Sequence, residues 1–579
     1  MKPSHLLLCF LAMTSPATPQ AGRNSLVGSK CSARAIPQFE DVTVSSGIMF
    51  QHTTAAMKNY IPESMGGGVL LIDYDRDGWL DIYFTNAPTV AMMLRGERAR
   101  SALYRNNHDG TFTDVTDKAG VGFPCAAMGG AVGDFNNDGW PDMYITCFSG
   151  NVLFRNNGDG TFTDVAKQAG VVGGRWSTGA AFADYDHDGF LDLMVASYVD
   201  LDLKHLPQPG SSTTCTYRSV SVQCGPHGLK GAKDILFHNN GDGTFADASD
   251  KSGVSDRAGY YGLGVLWADF DGSGLPSLFV ANDSTPNYLY RNLGHGHFDE
   301  IALAAGVSLN SEGKEVANMG VTAGDYLHTG RQSIYTTTFS SEVKPLFRND
   351  GKFEFNEVAA TSGLGSVALT SLGWGTSFAD FDNNGWLDLM TVYGHVYPQV
   401  DAMVGTAGYR EPKTLFLNEK DGSFCNASGL TGDALQRPTA ARGLAEGDLF
   451  NDGNVDAVIE NIDGLPLILR NHGNLGMHWI SFELAGTSSN RSAIGAELKV
   501  TGGGMTQTAE IRSGDSYLSQ SDLRVHFGLA GAKLVDEVQI RWPSGKVDIL
   551  HQLPADRFYS ILEGSGAVDR GRIIPVLAH

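Results

Sequence analysis

Short apolar runs recur along almost the whole chain, each closed by a turn rich in Asp, Asn and Gly. The clearest pattern reads LYRNNHDGTFTDV from Leu103, LFRNNGDGTFTDV from Leu153 and LFHNNGDGTFADA from Leu236. Related copies are LYRNLGHGHFDEI from Leu289, LFRNDGKFEFNEV from Leu346 and LFLNEKDGSFCNA from Leu415. Apolar positions alternate on both sides of an Asn/Asp/Gly turn, which predicts a β-hairpin in each copy. A second motif precedes each hairpin and leads into another apolar run, such as Leu80-Asp81-Ile82-Tyr83-Phe84. Each repeat therefore holds about four short strands, the blade size of a β-propeller.

The second motif is D-x-D-x-D-G-x-x-D. It reads DYDRDGWLD from Asp73, DFNNDGWPD from Asp134, DYDHDGFLD from Asp184 and DFDNNGWLD from Asp380. Weaker copies are DLFNDGNVD from Asp448, DFDGSGLPS from Asp269 and DYLHTGRQS from Asp325. Most copies are spaced about 50 to 70 residues apart, a propeller-blade period. The last hairpin is incomplete: Leu467-Ile468-Leu469-Arg470-Asn471 has no F-x-D-V partner after it, and that strand stands instead near the start as Phe39-Glu40-Asp41-Val42. A ring of seven blades closed by the N-terminal strand follows, because closure removes the open sheet edges.

Alternate side chains of the loop motif converge when the chain curls, and the glycine permits that curl. Side-chain oxygens at positions one, three and five, a backbone carbonyl at seven and a carboxylate at nine make a Ca²⁺ shell. The expected ligands are Asp73, Asp75, Asp77 and Asp81; Asp134, Asn136, Asp138 and Asp142; Asp184, Asp186, Asp188 and Asp192; and Asp380, Asp382, Asn384 and Asp388. Asp448, Asp452 and Asp456 form a weaker set, because Phe450 holds position three. The loop at Asp269 offers Ser273 and Ser277 in place of acids, and the loop at Asp325 retains one carboxylate and is expected to hold no metal. An isolated D-G pair is merely a turn former; four full loops in register favour metal, and Mg²⁺ fits less well because it prefers rigid, water-rich octahedra.

Composition narrows the class. Against 42 basic residues stand 64 acidic ones, a net charge of −22, which argues against nucleic acid or an anionic membrane as partner. Lys2, the apolar run Leu6 to Met13 and the small residues at Ser15-Pro16-Ala17 predict a secretory signal over residues 1–21, with cleavage after Ala17 or Ala21. No later run reaches a membrane-spanning length. Six cysteines then remain, Cys31, Cys125, Cys147, Cys215, Cys224 and Cys425, which suits disulfides in an oxidising, extracellular or periplasmic compartment. Cys215 with Cys224 is the favoured pair, Cys125 with Cys147 is plausible, and Cys31 with Cys425 follows by elimination.

After the ring, taken as residues 36–473, the pattern changes. Runs at 478–482, 496–500, 524–529, 535–542 and 558–562 predict one small β-sandwich or barrel over 475–565, followed by a tail at 566–579. The segments NRSAIGA (Asn490–Ala496), SGDSYLSQS (Ser513–Ser521), HFGL (His526–Leu529) and RWPSGK (Arg541–Lys546) resemble the ASPIC/UnbV module. The preceding loops and strands resemble integrin-like FG-GAP/VCBS repeats, the combination found in the cartilage acidic protein family. The resemblance implies a secreted, calcium-binding, adhesive or matrix-associated protein and names no substrate.

Chemistry beyond metal binding is sparse in the sequence. His395 in G-H-V-Y-P could face the channel, yet it reads better as a hydrogen-bonded structural residue; Asn282-Asp283, Arg442-Gly443 and Trp542-Pro543 read as blade corners and core. Asn282, Asn426 and Asn490 begin N-x-S sequons. The chain carries none of the common hydrolase, zinc-protease or phosphate-loop motifs. The expected function is a binding module for an extracellular protein or glycan; the alternative is an extracellular enzyme that uses the propeller as a scaffold for acting on polysaccharide.

Overall fold

The computed structural model describes residues 31, 35–55, 57–174, 176–473 and 476–571. The expected signal and the end of the expected tail lie outside these residues. The chain is all-β and propeller-like, with seven four-stranded antiparallel sheets among the described residues of the repeat region. The first comprises Val69–Ile72, Asp81–Phe84, Ala102–Asn106 and Phe112–Asp114. In the last, Ala441–Gly447, Asp456–Asn461 and Leu467–Asn471 are completed by Phe39–Asp41, with Phe39 opposite Asn471. The first strand of each sheet packs against the first strand of the next, and Ala441–Gly447 packs against Val69–Ile72.

Burial falls from the axis outward, as the sequence pattern requires. First strands such as Ser177–Ala183 are buried at every position, since sheets cover both faces, and they read as unbroken small and apolar runs. Outer strands such as Phe162–Asp164 bury the Phe and expose the polar pair. Three disulfides join Cys31 to Cys425, Cys125 to Cys147 and Cys215 to Cys224. The first ties the N-terminal segment to the sixth sheet, beside the ring closure.

The C-terminal region forms two further four-stranded sheets. One orders Val525–Ala530, His478–Ala485, Arg557–Leu562 and Ala567–Gly571; the other orders Met505–Glu510, Glu497–Gly502, Leu534–Arg541 and Val547–Pro554. Three of these strands lie outside the runs expected from sequence: Met505–Glu510, Val547–Pro554 and Ala567–Gly571. All three are half-exposed edge strands with mixed polar composition, so their apolar period is weak. The last extends the sheet into the segment expected as a tail. One apolar cluster runs from Phe135 and Phe182 of the ring into Ile480, Phe482, Ile540 and Trp542, so Trp542 is core.

The segment 513–521 leaves this sandwich and enters the axis of the ring. Ser516 pairs with Val321 in both directions, at 2.9 and 2.7 Å, and Gln520 bonds Val69 and Leu71. Ser513 Oγ donates to Val132 O, Tyr517 OH donates to Met65 O at 2.6 Å, and Thr376 N donates to Ser516 Oγ. Backbone approach is close enough that a Cβ at Gly68 would lie 2.1 Å from Leu518 O. Glycine is needed there for space, not for its dihedral range.

Candidate metal centres

Each D-x-D-x-D-G loop joins the first strand of a sheet to the second, so all seven gather at one end of the ring. The loop is built by its own carboxylates. Position one accepts the N–H of positions five and six: Asp77 N to Asp73 Oδ1 at 3.0 Å, and Gly78 N to Asp73 Oδ2 at 2.9 Å. Position five accepts the N–H of position seven, as from Trp79 to Asp77 at 3.0 Å. Position nine accepts on both oxygens, from Tyr74 N and Asn106 N. These bonds recur in the loops at Asp134, Asp184 and Asp380, and position one does the same at Asp325.

Three loops bring carboxylate oxygens within 4.8 Å of one another: Asp73, Asp75 and Asp81; Asp184, Asp186 and Asp188; and Asp380, Asp382 and Asp388. Asp186 and Asp192 form a further group with His238, which sequence reasoning missed. That His stands at the Arg position of the R-N-N repeat and lies 3.1 Å from Asp192. Asp75 Oδ1 and Asp186 Oδ1, both at position three, are buried without a hydrogen-bond partner. Burial and like-charged neighbours push Asp73 and Asp184 up to about 8, Asp134 up to about 6, and Asp380 and Asp81 well above the carboxylate range. Hard oxygens, orphaned atoms and mutual repulsion all fit a divalent cation.

The other expected ligands make the following contacts. Asp77 turns its second oxygen to Arg105 at 2.9 Å and His108 at 2.8 Å, and the same guanidinium reaches Asp75 at 2.6 Å. Asn136 and Asn384 direct their carbonyl oxygens to the N–H groups of Asp138 and Trp386. Asp138 takes the Trp140 N–H, while Asp142 is fully buried beneath the loop. Asp448, Asp452 and Asp456 are not brought into such a group among the described residues; Asp452 pairs with Arg470 at 3.0 Å, and that guanidinium lies over Phe450 at 4.4 Å. At Asp269 the C-terminal domain inserts Arg541, which lies 2.7 Å from Asp269 and 3.0 Å from Glu497.

The Asn that ends each third strand, another residue missed from sequence, ties neighbouring sheets together. Asn156 Nδ2 donates to Tyr74 O of the preceding loop and to Pro141 O of its own loop, at 2.8 and 3.2 Å. Asn106, Asn239, Asn292, Asn349, Asn418 and Asn471 repeat the contact. Its signal was the R-N-N repeat itself.

The opposite end of the ring carries the Cys215–Cys224 insertion and the connection at 394–413. His395 is fully buried there, its Nδ1 accepting from Tyr397 N at 3.1 Å, and the rings of Tyr217, Phe339 and Tyr397 surround it. Burial and Arg442 lower its pKa to about 3, so it is neutral at physiological pH. Arg442 is also fully buried, stacked on Trp374 at 4.1 Å, with backbone carbonyls as its acceptors.

Comparison with known proteins follows this division of the chain. Residues 486–568 match the ASPIC and UnbV family model. Residues 73–145 and 134–195 match the FG-GAP-like repeat model. Cartilage acidic protein 1 of Xenopus tropicalis is 24% identical over 295 residues, which covers 49% of this chain and 42% of that protein. The Homo sapiens protein is 24% identical over 328 residues, 55% of this chain and 46% of that protein. The chain thus spans less than half the length of these curated relatives. Among solved structures, an Agrocybe aegerita lectin that recognises non-reducing terminal N-acetylglucosamine superposes with a TM-score of 0.39 at 16% identity, over 69% of this chain and 87% of that one. The V. cholerae biofilm matrix protein Bap1 gives 0.25 at 12%, over 89% and 62%.

Proposed function

We propose that the chain is a secreted, calcium-stiffened, seven-bladed propeller that binds an extracellular protein or glycan through the ring face away from its C-terminal domain. The convergence of Asp380, Asp382 and Asp388, all buried and mutually within 4.8 Å, carries the metal part of this reading. Bound Ca²⁺ would neutralise that cluster and hold the loop's carboxylates in place; the loops at Asp73, Asp134 and Asp184 offer related donors. The C-terminal domain covers the loop face and its 513–521 segment fills the axis. Ligand contact therefore falls to the other face, where Met57, Leu94 and Val404 are exposed (58%, 56% and 96%). Three disulfides and the cartilage acidic protein relatives support an extracellular setting.

One preparation tests the whole reading. Elemental analysis should find ~4 calcium ions per chain, and a chelator should lower the melting temperature, since each ion at a hundredfold excess over its Kd contributes about 2.7 kcal/mol. Asp184→Ala with Asp188→Ala should remove one ion. On an array of glycans and matrix proteins, Leu94→Asp with Val404→Asp should abolish capture that the parent chain shows. A metal-free chain with an unmoved melt would reduce the loops to turns.

A further inference from the structure

Position four of the loop motif varies in sequence and has no role in a metal shell, yet its backbone is unusual throughout. Arg76, Asn137, His187, His328, Asn383 and Asn451 all have positive φ, between 49° and 62°. That left-handed turn points the side chain out of its own loop and along the ring, a conformation Asn tolerates better than most residues.

The side chains land on one repeated target, the glycine at position six of the next loop. Asn137 Nδ2 donates to Gly189 O, Asn383 Nδ2 to Gly453 O and Asn451 Nδ2 to Gly78 O, each at 2.9 Å. The His328 ring meets Gly385 O at 2.8 Å. Other junctions differ. Arg76 lies over the Trp140 ring instead, and Gly272 has no side chain to extend. The hydrogen-bonded links therefore form one string, from Asp325 through Asp380 and Asp448 to Asp73, and one single link, from Asp134 to Asp184.

The target matters because that glycine carbonyl belongs to the peptide between positions six and seven. Its N–H is already held by the position-five side chain, as in Phe190 N to Asp188 at 2.9 Å. Fixing both ends of this peptide holds the backbone at the entry to position seven, whose carbonyl is the one backbone ligand expected in the shell. The three asparagines serve a second neighbour as well. Their Oδ1 atoms accept from Arg491 N at 2.8 Å and Arg524 at 2.8 Å, and Asn383 Oδ1 bonds His526 at 2.7 Å, all from the C-terminal domain. An amide suits these positions because it donates and accepts at once.

We infer that the position-four side chains that make this bond are positioning residues for the loop that follows, so that calcium affinity at the loops of Asp73, Asp184 and Asp380 depends on a side chain of the preceding loop. This rests on the metal reading above. Asn137 acts on the Asp184 loop, not on its own.

The test is calcium titration of the full chain by calorimetry. Asn137→Ala should weaken one site roughly tenfold, the usual effect of removing an outer-shell partner. Asn137→His, which restores a ring donor like that of His328, should recover most of that loss. In a background with the Asp184 loop disabled by Asp184→Asn and Asp188→Asn, Asn137→Ala should leave the remaining sites unchanged. Equal weakening in both backgrounds would place the effect in the Asp134 loop and overturn the coupling, as would unchanged affinity in the first. A parent chain that binds no calcium would instead overturn the metal reading beneath it, so the two failures are distinguishable.

Discussion

The loops at Asp380 and Asp269 share one backbone turn and solve the same electrostatic problem in different ways. Both bury a first-position aspartate that accepts N–H groups from positions five and six. At Asp380, two more carboxylates converge on it, and burial together with Asp382 pushes its pKa well up. The third-strand position that holds Arg105, Arg155 or Arg470 in other sheets is Leu417 here. At Asp269, serines replace the acids at positions five and nine, and the Arg541 guanidinium from the C-terminal domain sits against the carboxylate. A buried carboxylate needs a compensating cation. One loop is built for a mobile cation, and the other receives a covalently tethered one that also fastens two parts of the chain.

The largest test removes the tethered cation. Arg541→Met leaves Asp269, whose side chain is 3% exposed, without its partner, and should cost about 3 kcal/mol in denaturant melts. The calcium count should not change. A variant that instead took up one more ion would break the comparison, by showing that arginine merely keeps metal out.

A smaller effect should change sign. In saturating calcium, Asp380→Asn with Asp382→Asn should lose one ion and about 2 to 3 kcal/mol. In chelator the order should reverse, because neutral amides remove the repulsion between the acids. Asp269→Asn should destabilise in both conditions. If the Asp380 pair behaves alike with and without calcium, that cluster is structural.

The smallest effect concerns a buried acid at the end of the ring opposite the metal loops. Burial pushes Glu411 from 4.5 up to about 7, against the pull of nearby Lys344 and Arg442. A folded-state pKa raised in this way favours the fold below pH 4.5 and loses that contribution as pH rises through 7. Glu411→Gln should therefore match the parent near pH 4 and exceed it by about 2 kcal/mol at pH 8. The gap should be the same with and without calcium. Calcium dependence there would mean that the metal loops act across the whole ring.

Much of this was legible in the residues. Hairpin pairs, the loops and the displaced F-E-D-V strand follow from local alternation and turn chemistry, which act over a few residues. The convergence of Asp73, Asp75 and Asp81 was readable because curling is a property of the motif alone. The SGDSYLSQS segment was recognisable in sequence, but its seat in the ring axis was not, since no local pattern says which distant strands a segment will pair with.

By itself, then, the sequence determined the strands, the turns and which loops possess the acids to hold a cation, because each depends on side chains close together along the chain. Only the tertiary structure decided that His238 joins Asp186 and Asp192, that Arg541 answers Asp269, and that position four of one loop grips the glycine of the next. Those pairings join residues that lie far apart in sequence, and closing the ring is what brings them within reach.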